Sequence, residues 1–205
     1  MRALPADQVR EVVVCDNGSS DGTARVAAEA GATVVSAPRR GYGSACLAGL
    51  AHLGERAPRF VAFLDAGMTD RPEELPLLIA PLLEGYADLA IGSRVSGKAE
   101  PGSLSPVQRL GNGLATSMIH ALTGYKFTDL GPFRAARWTS LRSLEMRETG
   151  SAWMVEMQVK AARRGLRCVE IPVTCRRRVG RSKISVGASL KIPFLILGEA
   201  FRPRA

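Results

Sequence analysis

A chain of 205 residues, 46% hydrophobic and 23% charged, is long enough for one substantial core and short for two domains. No apolar run reaches the roughly 18 residues of a membrane span, and the opening "MRALPADQVREV" has no signal-peptide core, so a soluble globular protein is expected. The net charge of +9 gathers at one end: from Lys160 onward 12 Lys and Arg stand against two acids, while the first 159 residues carry 16 against 17, a balance that suits either a polyanionic partner (phosphate, anionic lipid or nucleic acid) or a solvated face.

Along the chain, apolar runs alternate with helical patterns. "EVVVC" predicts a strand, "DGTARVAAEAG" a helix stopped by Gly31, "ATVVSA" a strand and "GSACLAGLAHL" a helix. "FVAFLD" is a strand ending on Asp65, the helix "PEELPLLIAPLLEG" opens on a proline and two acids, and "ADLAIGS" is the next strand. Such alternation is the mark of a parallel α/β sheet flanked by helices. After Arg94 the rhythm changes to a Gly/Ser/Pro-rich loop, then a helix from about Val107 to Leu122. "PFRAARW" predicts a short strand, "WMVEMQVKAARRG" a helix and "RCVEIPVTC" a strand. "RRRVGRSK" has no apolar periodicity and reads as a mobile basic loop; "SLKIPFLILGEAF" is apolar enough to lie on a bilayer interface or on its own domain.

Several residues stand where chemistry is done. Open α/β sheets bind ligands at the carboxyl ends of their strands, which is where Asp16 and Asp65 fall. Asp16 either accepts hydrogen bonds from a nucleoside or belongs to a strand-to-helix turn, with Asp21 as helix cap. "GSSDG" fits a nucleophile elbow, but it has almost no sheet before it and only His52 and His120 to complete a triad. "RGYGSAC" has two of the three glycines of a dinucleotide fingerprint and follows the wrong strand. Gly41 and Gly43 more simply let a loop pass close to the sheet edge. Glu156 is an acid on the apolar side of a helix, placed to pair with Arg134 or Arg177 or to form a structural salt bridge. Both histidines sit on Ala- and Leu-rich helices and are expected to pack, not ligate. Cys15, Cys46, Cys168 and Cys175 stand singly, the pattern of reduced thiols in a cytosolic protein.

Taken in order, "VVVCDNGSSDGTARVA", "RRGYGSACLAGL", "FLDAGMTDRPEEL", "AIGSR", "TDLGPFRA", "EMQVKAARRGLRCVEIPV" and "RRVGRSKIS" resemble the family 2 glycosyltransferases, and among them the polyprenyl- and dolichyl-phosphate sugar synthases. The resemblance runs from about Glu11 to Ser185. It implies a GT-A fold with a mostly parallel sheet, spanning residues 1–185, followed by an amphipathic segment over 186–205. It further implies a nucleotide-sugar donor (UDP or GDP), a Mg2+ or Mn2+ ion on its diphosphate, and an acceptor that includes lipid phosphates at the cytoplasmic face of an anionic membrane. Carried over by residue, it places Asp16 at the nucleoside, Asp65 at the metal, Arg94 along the donor, and Asp129 and Arg134 beside sugar and acceptor. Arg177, Ser182 and Lys183 match the loop that approaches donor phosphates and lipid phosphate. Asp65, Asp129, Arg177 and Lys183 are thus the implied catalytic set.

Elementary chemistry agrees with that set. A departing nucleoside diphosphate gains negative charge, which a metal and nearby Arg or Lys stabilise. A phosphate acceptor is already anionic and asks for cations to hold it more than for a strong base. Few aromatics accompany the basic loop, which counts against nucleic acid. Two departures stand out. Gly67 replaces the second acid of the family's DxD motif, with Asp70 the nearest substitute; and the strand–helix unit with which the family begins has no counterpart before Glu11. A silent fragment that binds nucleotide or anionic membrane without turnover therefore stays open as the alternative.

Overall fold

The computed structural model describes residues 3–5, 7–37, 39–177 and 192–201. In chain order the elements are β1 (Val13–Asp16), α1 (Thr23–Glu29), β2 (Thr33–Ser36), α2 (Tyr42–Glu55), β3 (Phe60–Phe63), a 3-10 turn at Pro72–Glu74, α3 (Leu75–Leu83), β4 (Leu89–Ala99), α4 (Pro106–Thr123), β5 (Arg134–Arg137), α5 (Trp138–Ser143), α6 (Trp153–Arg163), β6 (Cys168–Cys175) and α7 (Ile192–Phe201).

The strands form two sheets. β1 and β2 pair in parallel, and a second sheet runs in the order β3-β5-β4-β6. β5 is antiparallel to both β3 and β4, and β6 is parallel to β4. Three strands of this sheet therefore point one way, as the alternation predicts, and β5 runs against them. Its small, fully buried Ala135 and Ala136 let it sit in the middle of the sheet. β4 departs from expectation. It passes Arg94 and continues to Ala99 along β6, with a register shift between Ser93 and Lys98 that absorbs the Gly/Ser-rich stretch.

Local chemistry sets the helix ends. α4 starts with a complete capping box: the Ser105 hydroxyl accepts from the Gln108 amide and the Gln108 side chain accepts from the Ser105 amide, with Pro106 in the first turn. Gly124 ends it in the left-handed region, φ 74°. Asp21 does accept from the Thr23 amide at 3.2 Å, although the residue at the cap position is Gly22.

The main core joins Leu89 and Ile91 of β4, Ile119 of α4, Trp153, Met157 and Val159 of α6, and Ile196 of α7. A smaller one packs Leu75, Leu78 and Leu82 of α3 against Ala90, Phe133, Ala135 and Val173. Ile196 is fully buried, so α7 packs on the body through one face, resting chiefly on α6 and α4. Arg163 of α6 donates to the Glu199 carbonyl to fix that docking. α5 has no counterpart among the predicted elements. The four cysteines are free thiols, and burial pushes those of Cys46 and Cys168 up to about 12. His52 does more than pack: its Nε2 lies 2.9 Å from Glu11 Oε1.

Candidate active site

At the carboxyl end of β1, Asp16 stays accessible. Hydrogen bonds from the Ser19 hydroxyl and amide hold its carboxyl below the usual range, so the group is anionic near neutral pH. The neighbouring Asn17 organises the next loop. Its amide nitrogen donates to the carbonyls of Ala37 and Arg39, and its oxygen accepts the Gly41 amide at 2.7 Å. Gly41 and Gly43 do start a helix and permit a close approach, but the segment they admit is the 148–150 backbone. A Cβ on either would overlap the carbonyl oxygen of Thr149 or Glu148. The first amides of α2 are already engaged, Gly43 N with Gly150 O at 3.0 Å and Ser44 N with Thr149 O at 2.8 Å. This helix start is packed against protein backbone and does not offer a phosphate cradle.

Tyr42, the first residue of α2, meets Trp153 with ring centroids 6.1 Å apart, and Phe63, the last residue of β3, meets the same indole at 5.0 Å. Trp153 thereby joins the start of α2 to the carboxyl end of β3. Two residues beyond Phe63 comes Asp65, half-buried, its Oδ1 accepting the Gly67 amide at 3.1 Å. Asp70 is 4% exposed and its Oδ2 accepts the Asp65 amide at 3.1 Å, so one carboxylate braces the other's backbone. Among the described residues no three acidic, His or Cys side chains gather as a ready metal cluster. A lone carboxylate fits a hard cation that takes its remaining ligands from phosphate and water, and Asp65 has the exposure for it where Asp70 does not.

The densest network surrounds Asp129. Its carboxylate accepts from the Arg94 amide at 2.7 Å, from Nε at 2.8 Å and from Nη2 at 2.7 Å. The Asp129 side chain is wholly buried and that of Arg94 is 19% exposed. Burial is the largest single influence and opposes the guanidinium's charge, but the Asp129 hydrogen bonds and charge, with smaller help from Asp70, together outweigh it and raise the Arg94 pKa. Sequence reasoning missed what holds Asp129 in place. Glu170 accepts from the amides of Thr128 and Asp129 and from the Thr128 hydroxyl. Asn112 of α4 donates to Thr128 O and accepts from Leu130 N, and Gln158 donates to Asp129 O. Each is a polar residue inside an apolar pattern, the one signal that marks it.

Arg134 lies elsewhere than expected. It is fully buried in β5 and donates to Gly131 O, Met154 O and the Gln158 side chain, with no carboxylate bonded to it. Burial lowers its pKa to about 10. It contributes fixed charge beneath the site but no contact with a bound phosphate in this geometry. Glu156 pairs with neither Arg134 nor Arg177. It binds Lys160 Nζ at 2.6 Å and accepts the amides of Arg147 and Glu148, pinning the loop that covers α2. Arg177 does reach the site's rim: its amide bonds Glu100 Oε2 at 2.8 Å, and the preceding Arg176 amide bonds Thr69 O in the Asp65–Asp70 loop at 2.8 Å. Ser182 and Lys183 lie outside the described residues. A cavity of about 720 Å³ lined by Glu11, His52 and Arg56 opens at the amino end of β1, the end away from all of these groups.

The sequence profile of "Glycosyl transferase family 2" matches residues 4–156. The chain belongs to that family. The transferase is 38% identical over 188 residues to an uncharacterised glycosyltransferase of Mycobacterium tuberculosis, covering 90% of this chain and 82% of that one. It is 32% identical over 204 residues to the undecaprenyl-phosphate mannosyltransferase of Micrococcus luteus, covering 93% and 79%. Its backbone superposes on glucosyl-3-phosphoglycerate synthase of Mycobacterium tuberculosis, crystallised with Mn2+, UDP-glucose and phosphoglyceric acid, with a TM-score of 0.74 at 24% identity, covering 96% of this chain and 71% of the other. The fold of the transferase is thus GT-A, as its motifs imply.

Proposed function

We propose that this glycosyltransferase moves a sugar from a UDP- or GDP-sugar to a phosphate-bearing acceptor, with a polyprenyl phosphate as the acceptor and the cytoplasmic face of an anionic membrane as the place. The observation that carries this reading is that the Arg176 amide, at the start of the basic segment, bonds Thr69 O in the Asp65–Asp70 loop, while the Arg94–Asp129 pair lies near enough to that loop to feel the charge of Asp70. The buried Asp129 is engaged on both oxygens, which suits a positioning group; the cation it holds, Arg94, keeps 19% of its side chain exposed. A cation held in place by a carboxylate that is already engaged matches an acceptor that is already ionised. Asp16 takes the nucleoside end, and Arg177, Ser182 and Lys183 take the phosphates. Asp65 would hold Mg2+ or Mn2+, and the ion would neutralise charge on the departing diphosphate. A relative that acts on undecaprenyl phosphate supports the lipid acceptor, and no described helix is long and apolar enough to cross a membrane, so association would be peripheral. Residues 1–185 serve as the catalytic domain and 186–205 as its amphipathic tail; nucleic acid is not a partner.

Gly67 favours one other reading, nucleotide binding without turnover. Thermal melts with UDP, GDP and their sugar conjugates, with and without Mn2+, separate the two when followed by transfer assays on lipid phosphates. A Mn2+-dependent, nucleotide-selective rise together with transfer supports the proposal. A rise without transfer selects the silent binder. A sound melt with no shift under any condition overturns both.

A further inference from the structure

α4 has two apolar sides and only one of them is buried. Its inner side carries Ala115, Thr116 and Ile119 into the core and sends Asn112 to Thr128 and Leu130. The outward positions, recurring every three or four residues from Val107 to Leu122, carry no charge at all. Val107 is 68% exposed, Leu110 76% and Leu114 58%. α7, which packs beside α4 in the same core, repeats the arrangement: Ile196 is buried while Phe194 and Phe201 are 77% and 75% exposed. A helix apolar on both sides is expected to be covered on both, and clustered large apolar side chains on a protein surface mark an interaction site.

We infer that the exposed stripes of α4 and α7 are the face on which this protein sits in an anionic bilayer, with α4 linking that face to the site. The inference rests on the membrane reading above and names its surface. Charge decides the occupant. From Lys160 onward, 12 basic residues stand against two acids, and α7 lies within that segment. α7 itself carries a single acid, Glu199, but in the chain Lys191 precedes it directly and Arg202 and Arg204 follow it, so a second copy docked symmetrically through α7 would bring like charges together and repel. An anionic leaflet attracts them, while the leucines and phenylalanines enter the acyl boundary. Through Asn112, the α4 helix also holds the backbone on either side of Asp129, so the headgroup layer and the Arg94–Asp129 pair share one support.

The test is flotation of the purified chain with vesicles of phosphatidylcholine alone and of phosphatidylcholine mixed with phosphatidylglycerol, beside light scattering without lipid. The expected result is partition onto the anionic vesicles only. Leu110→Asp with Leu114→Asp should reduce it about tenfold or more, as losing two inserted leucines requires, at an unchanged melting temperature. Leu110→Trp gives a direct readout, with an added blue-shifted emission on the anionic vesicles. Equal partition of the aspartate variant, or no blue shift at position 110, overturns the assignment. So does a wild-type dimer that the aspartate variant converts to monomer, which would make the face a contact between copies. Failure of the wild type to bind any vesicle also overturns it. In every case the nucleotide-dependent melt reports the donor site independently, so the two readings fail separately.

Discussion

Asp129 is buried beneath Arg94 and binds its guanidinium with both carboxylate oxygens. A buried partner removed from such a pair leaves a charge with nothing to compensate it. Asp129→Asn should lower stability by about 3 kcal/mol, read as a fall in the urea midpoint at constant slope, and should abolish transfer. Arg94→Lys keeps the charge but not the two-pronged geometry, so its loss of transfer should exceed its loss of stability.

Glu156 and Lys160 form a second buried pair, and Glu156 also gathers the amides of Arg147 and Glu148. Glu156→Gln strands the ammonium and should cost about 3 kcal/mol. Adding Lys160→Met should recover part of that loss. A double-mutant cycle by chemical unfolding measures the coupling; strictly additive effects would refute the pairing.

The 148–150 backbone crosses α2 with no room for a methyl group at Gly43. Gly43→Ala should destabilise by about 2–3 kcal/mol because a backbone carbonyl cannot yield. Gly113→Ala, inside α4 with open space around it, should stabilise by up to about 1 kcal/mol through helix propensity alone. Thermal melts of the two should move in opposite directions.

If Asp65 is the cation's protein ligand, Asp65→Asn should erase the Mn2+ dependence of the nucleotide-induced melt shift and leave the unliganded melt nearly unchanged. Gly67→Asp restores a second carboxylate and should lower the Mn2+ concentration needed for half the shift by about tenfold. Titration of Mn2+ at fixed UDP or GDP checks both.

Acid should loosen the link between β4 and β6. Hydrogen bonds from Arg167 hold the Asp88 carboxyl below its ordinary value of 3.8, against some opposition from burial. A depressed folded pKa gives stability that is present above the unfolded pKa and is lost as pH falls through the folded one. The melting-temperature gap between the wild type and Asp88→Asn should therefore be full at pH 6 and close between about pH 5 and pH 2. A gap that persists at pH 2 would mean the ion pair is not its source.

Element types were legible from residue pattern, because runs such as "FVAFLD" and "PEELPLLIAPLLEG" carry their own periodicity and caps. The two turn glycines were legible for the same kind of reason, since few side chains suit a close backbone crossing. Partnerships were not. Glu156 shows itself as a misplaced acid, but only three-dimensional packing reveals that Lys160 and two amides are its partners. Arg134 reads as a phosphate binder until the sheet order puts β5 in the centre, where its side chain is enclosed. Glu170, Asn112 and Gln158 act on the backbone around Asp129 from 16 to 41 positions away, as the Asn112–Thr128, Asn112–Leu130, Gln158–Asp129 and Glu170–Asp129 bonds span, and local pattern carries no trace of such reach.

The division into two sheets has a consequence for how the molecule opens. β1 and β2 with α1 and α2 draw on contiguous sequence, from Val13 to Glu55, whereas β3 must find β5 some seventy residues later. Among the described residues no strand hydrogen bonds bridge β1 and β3, and Trp153 links the start of α2 to the end of β3 by ring contact. Amide exchange should accordingly resolve two cooperative units: the β1–α2 portion releasing its protons early and together, and the β3–β6 sheet retaining them until global unfolding. Asp16 belongs to the first unit and Asp65 to the edge of the second, so a bound nucleotide spanning both would slow the early exchange and serve as the missing link between them.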